Sequence, residues 1–174
     1  MEKMIEMMLK LAEEKQYRRL KELLAEMNEV DIASFIEELD SEKTVVVFRM
    51  LSKEVASDVF ANLPVEDQEH IINSITDYEL SAIVNDLFVD DAVDMLEELP
   101  ANVVKRVLQN STAGTRQLIN QFLKYPEHSA GSIMTAEFLD LHKDMTVLQA
   151  IDRIRKRGEE SEQIYTCYVT NHKR

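Results

Sequence analysis

Residues 71–99, IINSITDYELSAIVNDLFVDDAVDMLEEL, contain three copies of one short pattern at a constant spacing. In each copy, two adjacent apolar residues are followed by a third that stands four positions after the first of the pair. Residues i and i+4 share one face of an α-helix, so the pattern predicts one short amphipathic helix for each copy. The three copies are Ile71-Ile72 with Ile75, Ile83-Val84 with Leu87, and Met95-Leu96 with Leu99.

The pattern continues in both directions at the same spacing. A helix of two to three turns is too short to be stable alone, so the copies must stack to bury their apolar faces. We therefore predict a mainly α fold, a right-handed superhelix of short helices. The alternative, a globular helical domain with accidental spacing, fits six consecutive matches poorly. The further copies are Leu23-Leu24 with Met27, Phe35-Ile36 with Leu39, Val47-Phe48 with Leu51, Val59-Phe60 with Leu63, and an incomplete copy at Val107-Leu108.

Residues that commonly start helices stand between the copies. Asp40, Ser52 and Thr76 are predicted N-caps, because a short polar side chain accepts hydrogen bonds from the first backbone N–H groups of a helix. Pro64 and Pro100 are expected at first helical positions, where the missing N–H costs nothing. Each copy is thus predicted to be one helix followed by a tight corner.

The stretch YPEHSAGSIMT, residues 125–135, ends the helical part, and we call it the joint. Tyr125 precedes a proline and is therefore disfavoured in the α region. Four small residues at 129–132 allow backbones to approach closely. From these residues alone, a plain linker between two domains is the alternative interpretation. The predicted domains are residues 1–128 and residues 129–174.

The residues after the joint change character. Residues 138–141 form a short strand candidate, and residues 164–170, IYTCYVT, are β-branched and aromatic as in a strand. Between them, Thr146 with Gln149 has the spacing of a capping box before a helix at 147–157. The predicted order is strand, helix, strand, which leaves an exposed strand edge.

Composition excludes several classes of function. The net charge is −13, from 33 acidic and 20 basic residues, so the chain should repel nucleic acid and attract cations. No run of apolar residues is long enough to span a bilayer, and the lone Cys167 is better explained as a structural thiol than as a nucleophile. No phosphate-binding loop, nucleophile elbow or zinc-type histidine pair is present, so we expect no enzyme. The four histidines lie in separate predicted elements, namely His70, His128, His142 and His172.

The segment VDDAVDML places Asp90, Asp91 and Asp94 in one predicted helix. Asp90 and Asp94 share a helix face, where two like charges repel unless a cation lies between them. Carboxylate and carbonyl oxygens are the ligands that Mg²⁺ prefers. The alternative is structural, with Asp90 as an N-cap and Asp91 as a partner of the helix dipole.

Short-helix repeats that end in YPEHSAGSIMT resemble the cytosolic amino-terminal region of the MgtE family of magnesium transporters. The resemblance covers essentially the whole chain. It implies a superhelical N domain at 1–128 and, at 129–174, the first half of a CBS domain, an α/β unit. It also implies that the chain is a fragment of a longer membrane protein, located at the cytoplasmic face of the membrane. Similar helical repeats occur in the flagellar motor switch protein FliG and in armadillo scaffolds, so a protein-interaction scaffold is the alternative function.

The resemblance also implies a regulatory Mg²⁺ site. The family's acidic residues fall on Asp58, Asp90 and Asp94, with Asp91 as a further candidate. The family's backbone carbonyl ligand falls on Ser132 or Gly131. His128 departs from the family pattern, which usually has Asp there. The implied partners are the rest of the same polypeptide, with its CBS pair and transmembrane pore, and a second copy in a homodimer.

Overall fold

A computed structural model of the chain describes residues 2–126, 128–158, 161 and 163–171. Ten helices come first in the described part, followed by a 3-10 turn at Ala130–Ser132 and a strand–helix–strand unit. The helices are α1 Glu2–Glu13, α2 Tyr17–Leu24, α3 Glu29–Glu37, α4 Ser41–Phe48, α5 Lys53–Ala61, α6 Val65–Ser74, α7 Asp77–Val84, α8 Val89–Glu98, α9 Ala101–Asn110 and α10 Ala113–Phe122. The last unit comprises strand β1 Phe138–His142, helix α11 Val147–Arg157 and strand β2 Gln163–Thr170. The predicted mainly α fold is confirmed.

Each complete copy of the pattern forms one helix, but the third apolar residue lies in the corner after the helix. Helix α7 ends at Val84, and Leu87 follows it. The Leu87 backbone N–H still donates to the Ile83 carbonyl at 3.0 Å, an i to i−4 bond. The third side chain therefore stays on the side of the buried pair, although the regular helix has ended.

The predicted N-caps Asp40, Ser52 and Thr76 are confirmed, since each side chain accepts a hydrogen bond from a first-turn backbone N–H. The two prolines differ from the prediction by one position. Pro64 and Pro100 are N-caps with extended ψ angles of 149° and 145°, so the helices begin at the next residue. Both remain before the first full helical turn, where a missing N–H is harmless.

Helices two places apart along the chain stack on each other. One column contains α3, α5, α7 and α9 in successive contact, and the pairs α4 with α6 and α8 with α10 stack beside it. A continuous core runs between the stacks, with fully buried Phe35, Phe60 and Leu80 among its residues. The sequence pattern repeats with every helix, but the packing repeats with every second helix.

Side-chain hydrogen bonds also connect helices that are two or three places apart, and several of them meet at the corner between α6 and α7. Arg106 of α9 donates to the backbone carbonyls of Ile72 and Ile75, and its Nε donates to Asp77 at 2.9 Å. Arg49, which follows α4 and so precedes this corner in the sequence, donates to Glu79 at 2.9 Å. The two arginines thus satisfy carbonyls and first-turn carboxylates at one corner.

The unit after the joint has the predicted order of strand, helix, strand. Strands β1 and β2 pair in parallel, and Arg153 of α11 donates to the Asp140 carbonyl at 2.9 Å and pairs with its carboxylate. Leu139 is buried, whereas α11 contains no buried residue and Tyr165 of β2 is 95% exposed. Within the described residues, none of the helices has the length and apolar character needed to cross a membrane.

Candidate functional site

Helix α8 presents the acidic residues at its amino-terminal end. Its N-cap is Phe88, whose side chain makes no capping hydrogen bond. The structural alternative that made Asp90 an N-cap is therefore wrong, because the helix begins one residue earlier, at Val89. Asp90 and Asp91 stand in the first turn, where negative charge complements the helix dipole. Both are half-buried, whereas Asp94, one turn further on, is exposed.

Asp58 lies on α5, and its strongest electrostatic neighbours come from other copies of the repeat. The residue is exposed as a whole, but partial burial of its carboxyl raises the pKa of Asp58, and the charges of Glu29 and Asp86 raise that pKa further. Sequence reasoning missed Glu29 and Asp86. Glu29 lies on α3, and Asp86 follows α7, so both belong to helices two places from α5 along the chain. Knowledge that helices two places apart stack would have directed attention to both helices.

The predicted acidic ligands lie on helices that touch, since α5 and α8 are in contact. Across residues 2–126, 128–158, 161 and 163–171, however, no three His, Cys, Asp or Glu side chains are arranged to hold a metal ion. The described part of the chain therefore provides a carboxylate-rich surface. A Mg²⁺ ion bound there would need further ligands, such as waters and oxygen atoms from elsewhere.

The joint folds against the end of α10. The side chain and backbone N–H of Ser132 both donate to the Ser129 carbonyl, at 3.0 and 3.1 Å. Gly131 lies under the Tyr125 ring so closely that a Cβ on Gly131 would come within 2.5 Å of ring atoms. His128 has a φ of 62°, in the left-handed region that Asn, Asp and His adopt more readily than most residues. The two residues whose backbone carbonyls are predicted Mg²⁺ ligands, Ser132 and Gly131, thus belong to a compact turn.

Glu137 connects the segment after the joint to α8, and sequence reasoning missed it. Its Oε1 accepts a hydrogen bond from the Val89 backbone N–H at 3.3 Å, although the two residues are far apart in sequence. Ala136 beside it packs against the superhelix core. The acidic amino terminus of α8 and the segment after the joint therefore meet. No local sequence pattern marks a capping residue so distant from its helix.

A family model described as the MgtE intracellular N domain matches residues 27–128, which is more than half of the chain. The chain belongs to this family. This membership confirms the resemblance inferred from the repeat and the joint, and also the predicted intracellular location. Two curated relatives of the chain are named as magnesium transporters.

Two curated MgtE proteins are similar to the chain over most of its length. The magnesium transporter MgtE of Thermus thermophilus is 29% identical over 160 residues, covering 90% of this chain and 35% of that protein. The magnesium transporter MgtE of Bacillus subtilis is 22% identical over 154 residues, covering 88% and 34% respectively. The chain thus spans about a third of the length of these relatives.

Two solved structures share the fold. The soluble part of a magnesium transporter matches with a TM-score of 0.88 at 22% identity, covering 98% of this chain and 68% of that one. The cytosolic domain of the Mg²⁺ channel MgtE in complex with ATP matches with a TM-score of 0.81 at 29% identity, covering 95% and 68%. Both matches include the unit after the joint as well as the superhelix.

Proposed function

We propose that this chain is the magnesium-sensing cytosolic region of an MgtE-type transporter or channel, and that Mg²⁺ bridging of its acidic residues gates ion transport. The observation that carries the proposal is the contact between Glu137 and the amino terminus of α8. It brings the helix with Asp90, Asp91 and Asp94 against the segment after the joint. A cation bound at this boundary would act on both parts at once.

The proposed mechanism is a charge switch. At high Mg²⁺, the Asp58, Asp90 and Asp94 carboxylates and the Ser132 or Gly131 carbonyl would hold the ion together with oxygen atoms beyond the superhelix, and its charge would offset that of the carboxylates. At low Mg²⁺, the uncompensated carboxylates repel, and the superhelix moves away about the joint. The shift between the two states is limited by their difference in Mg²⁺ affinity.

The proposed partners of this chain are the rest of a longer polypeptide and a second copy in a homodimer. Residues 129–174 would be the first half of a CBS domain, completed by further residues of a longer polypeptide. That polypeptide would supply the second CBS domain, the transmembrane pore and the surface of a homodimer. The exposed residues of β2 and α11, among them Tyr165 and Val147, suit such a completion, because large apolar side chains are normally covered.

The test uses the full-length protein with Asp90→Ala and Asp94→Ala combined. We expect the Mg²⁺ concentration that half-protects the joint from protease, and that half-closes transport, to rise about tenfold or more, because two carboxylate ligands are lost. Glu97→Ala with Glu98→Ala, two exposed positions on the same helix, removes the same charge and should leave the midpoint near wild type. Equal midpoints in the two double variants would overturn the proposal.

One observation favours the alternative, a protein-interaction scaffold. A groove of about 540 Å³ is lined by residues on and next to α4, α5 and α7, among them Phe48, Ile83 and Tyr78, whose side chain is 86% exposed. Such a groove could hold a peptide without any metal. Thermal melts with and without millimolar Mg²⁺ separate the two functions, because a ligand that binds the folded state raises its melting temperature. A scaffold should melt at the same temperature in both conditions.

A further inference from the structure

Helix α8 begins without a capping side chain of its own, as α2, α6 and α9 also do. Helices α3, α4, α5, α7 and α10 each start with a polar N-cap side chain that accepts a first-turn N–H. At α8 the N-cap is Phe88, which has no acceptor in its side chain. The Val89 N–H has no acceptor within the helix, and it donates instead to Glu137 Oε1 at 3.3 Å. A residue from beyond the joint thus supplies a contact that the α8 sequence lacks.

Glu137 is held in position by its own surroundings. The Glu137 backbone N–H donates to the Thr135 hydroxyl at 3.2 Å, and that hydroxyl lies 3.5 Å from Glu137 Oε2. The neighbouring Ala136 packs on the superhelix core, and Glu137 itself is half-buried. Little side-chain freedom is therefore lost when the carboxylate contacts α8, and a preorganised contact of this kind is stronger than a flexible surface pair.

We propose that Glu137 is a metal-independent latch, which holds the segment after the joint on the amino terminus of α8 by accepting the Val89 N–H. The latch sets how much of the protein is docked when no Mg²⁺ is present. This hydrogen bond has a charged acceptor at a helix amino terminus, which strengthens it, and at 3.3 Å it is longer than the strongest charge-assisted bonds of about 2.7–2.9 Å. Its loss should lower the ratio of docked to undocked joint about tenfold.

The latch also couples to magnesium, and this part rests on the proposed function. Asp90 and Asp91 stand in the same first turn, so their charges repel the Glu137 carboxylate and oppose the latch. A cation held by those aspartates would remove the repulsion. Mg²⁺ would then strengthen the latch, and by linkage the latch would lower the Mg²⁺ concentration needed for docking.

The test is amide hydrogen exchange at Val89, measured by NMR on the chain with and without Mg²⁺. In the metal-free arm, we expect Glu137→Ala to speed exchange of the Val89 amide about tenfold. Glu137→Gln keeps a carbonyl acceptor and should restore part of the protection. Glu98→Ala, an exposed glutamate at the other end of α8, is the matched control and should exchange at the wild-type rate.

The exchange rates of the Val89 and Met95 amides decide whether the latch exists and whether Mg²⁺ strengthens it. Unchanged Val89 exchange in Glu137→Ala overturns the latch, provided that the Met95 amide in the middle of α8 shows the helix intact. Faster exchange at both Val89 and Met95 also overturns it, because Glu137 would then support the helix as a whole. If Val89 alone responds but Mg²⁺ has no effect on any variant, the latch stands and its coupling to Mg²⁺ in this chain fails, while the Asp90→Ala with Asp94→Ala test in the full-length protein decides the proposed magnesium sensing. If Mg²⁺ slows Val89 exchange in the wild type but not in Glu137→Ala, both are supported.

Discussion

The Glu79 carboxylate contacts two elements, because it pairs with Arg49 at the end of α4 and accepts a hydrogen bond from the Thr76 N–H at the start of α7. The Arg49 guanidinium, followed by the backbone and hydroxyl of Thr76, lowers the pKa of Glu79 to about 2 from its ordinary 4.5. The folded state therefore favours the charged carboxylate. The stabilisation is complete above pH 4.5 and is lost as the pH falls from there toward 2.

We expect Glu79→Gln to lower the free energy of unfolding by about 1 kcal/mol at pH 7, a value that allows for solvent screening of a half-exposed pair. The difference from wild type should shrink as the pH falls below 4.5 and vanish only below about pH 2, where the Glu79 carboxyl is protonated in the folded state as well. Urea unfolding at a series of pH values measures this. Glu37→Gln, at an exposed position on α3, should show no such pH dependence. A constant difference across the range would contradict the assigned role of the Glu79 charge.

Gly131 and Gly114 form a matched pair for testing the joint. An added Cβ at Gly131 meets the Tyr125 ring at 2.5 Å, whereas at Gly114, in the first turn of α10, the nearest atom is 3.9 Å away. Gly131→Ala should therefore destabilise the chain by about 1–3 kcal/mol through overpacking. Gly114→Ala should stabilise it by up to about 1 kcal/mol, since alanine favours the helix.

Thermal and urea unfolding of the two glycine variants measure the contrast. Combining Gly131→Ala with Tyr125→Leu removes the ring and should recover part of the loss. Two variants of equal stability would mean that the Tyr125 ring moves aside without cost, and that the joint is loosely packed.

At the scale of single elements, local sequence was sufficient to predict most helices and their starts. The i, i+4 pattern located every helix from α3 to α8, and Asp40, Ser52 and Thr76 were correctly predicted as caps, because both signals act within one helical turn. The third residue of each copy was placed on a helix, although corners such as that at Leu87 begin earlier. At Leu87 an i to i−4 hydrogen bond continues the helical geometry into the corner, whereas at Leu39 and Leu63 an i to i−3 bond tightens it. In both cases the third residue keeps its spacing from the buried pair, so periodicity alone does not show where the helix ends.

Contacts between elements were much harder to predict. The Val89 N–H of α8 pairs with Glu137, which is distant in sequence, and the charged neighbours of Asp58 are Glu29 and Asp86. These pairs depend on which helices stack, and a one-dimensional pattern that repeats once per helix is compatible with stacking on the first or the second neighbour. The roles of Asp58, Asp90, Asp94, Ser132 and Gly131 in binding Mg²⁺ stay predictions.

Burial is distributed unevenly over the described residues. The helices from α3 to α9 share a continuous core, whereas in the unit after the joint only Leu139 is buried among the described residues. We expect amides of residues 138–142 and 163–170 to exchange with lower protection than those of α5 to α7, because local opening there exposes little apolar surface. Hydrogen exchange with mass spectrometry measures this directly. Equal protection in the two regions would show that they unfold as one cooperative unit.

The stacking of each helix on the second helix along also restricts how such a chain can change its length in evolution. Inserting a single copy of the repeat would move every later helix to the opposite column and separate contacts such as Arg106 with Asp77. Inserting two copies together would keep every helix in its column. Natural insertions and deletions within the superhelix should therefore occur in pairs of helices. The distance between the two ends of the superhelix then changes in steps of one added or removed helix in each column.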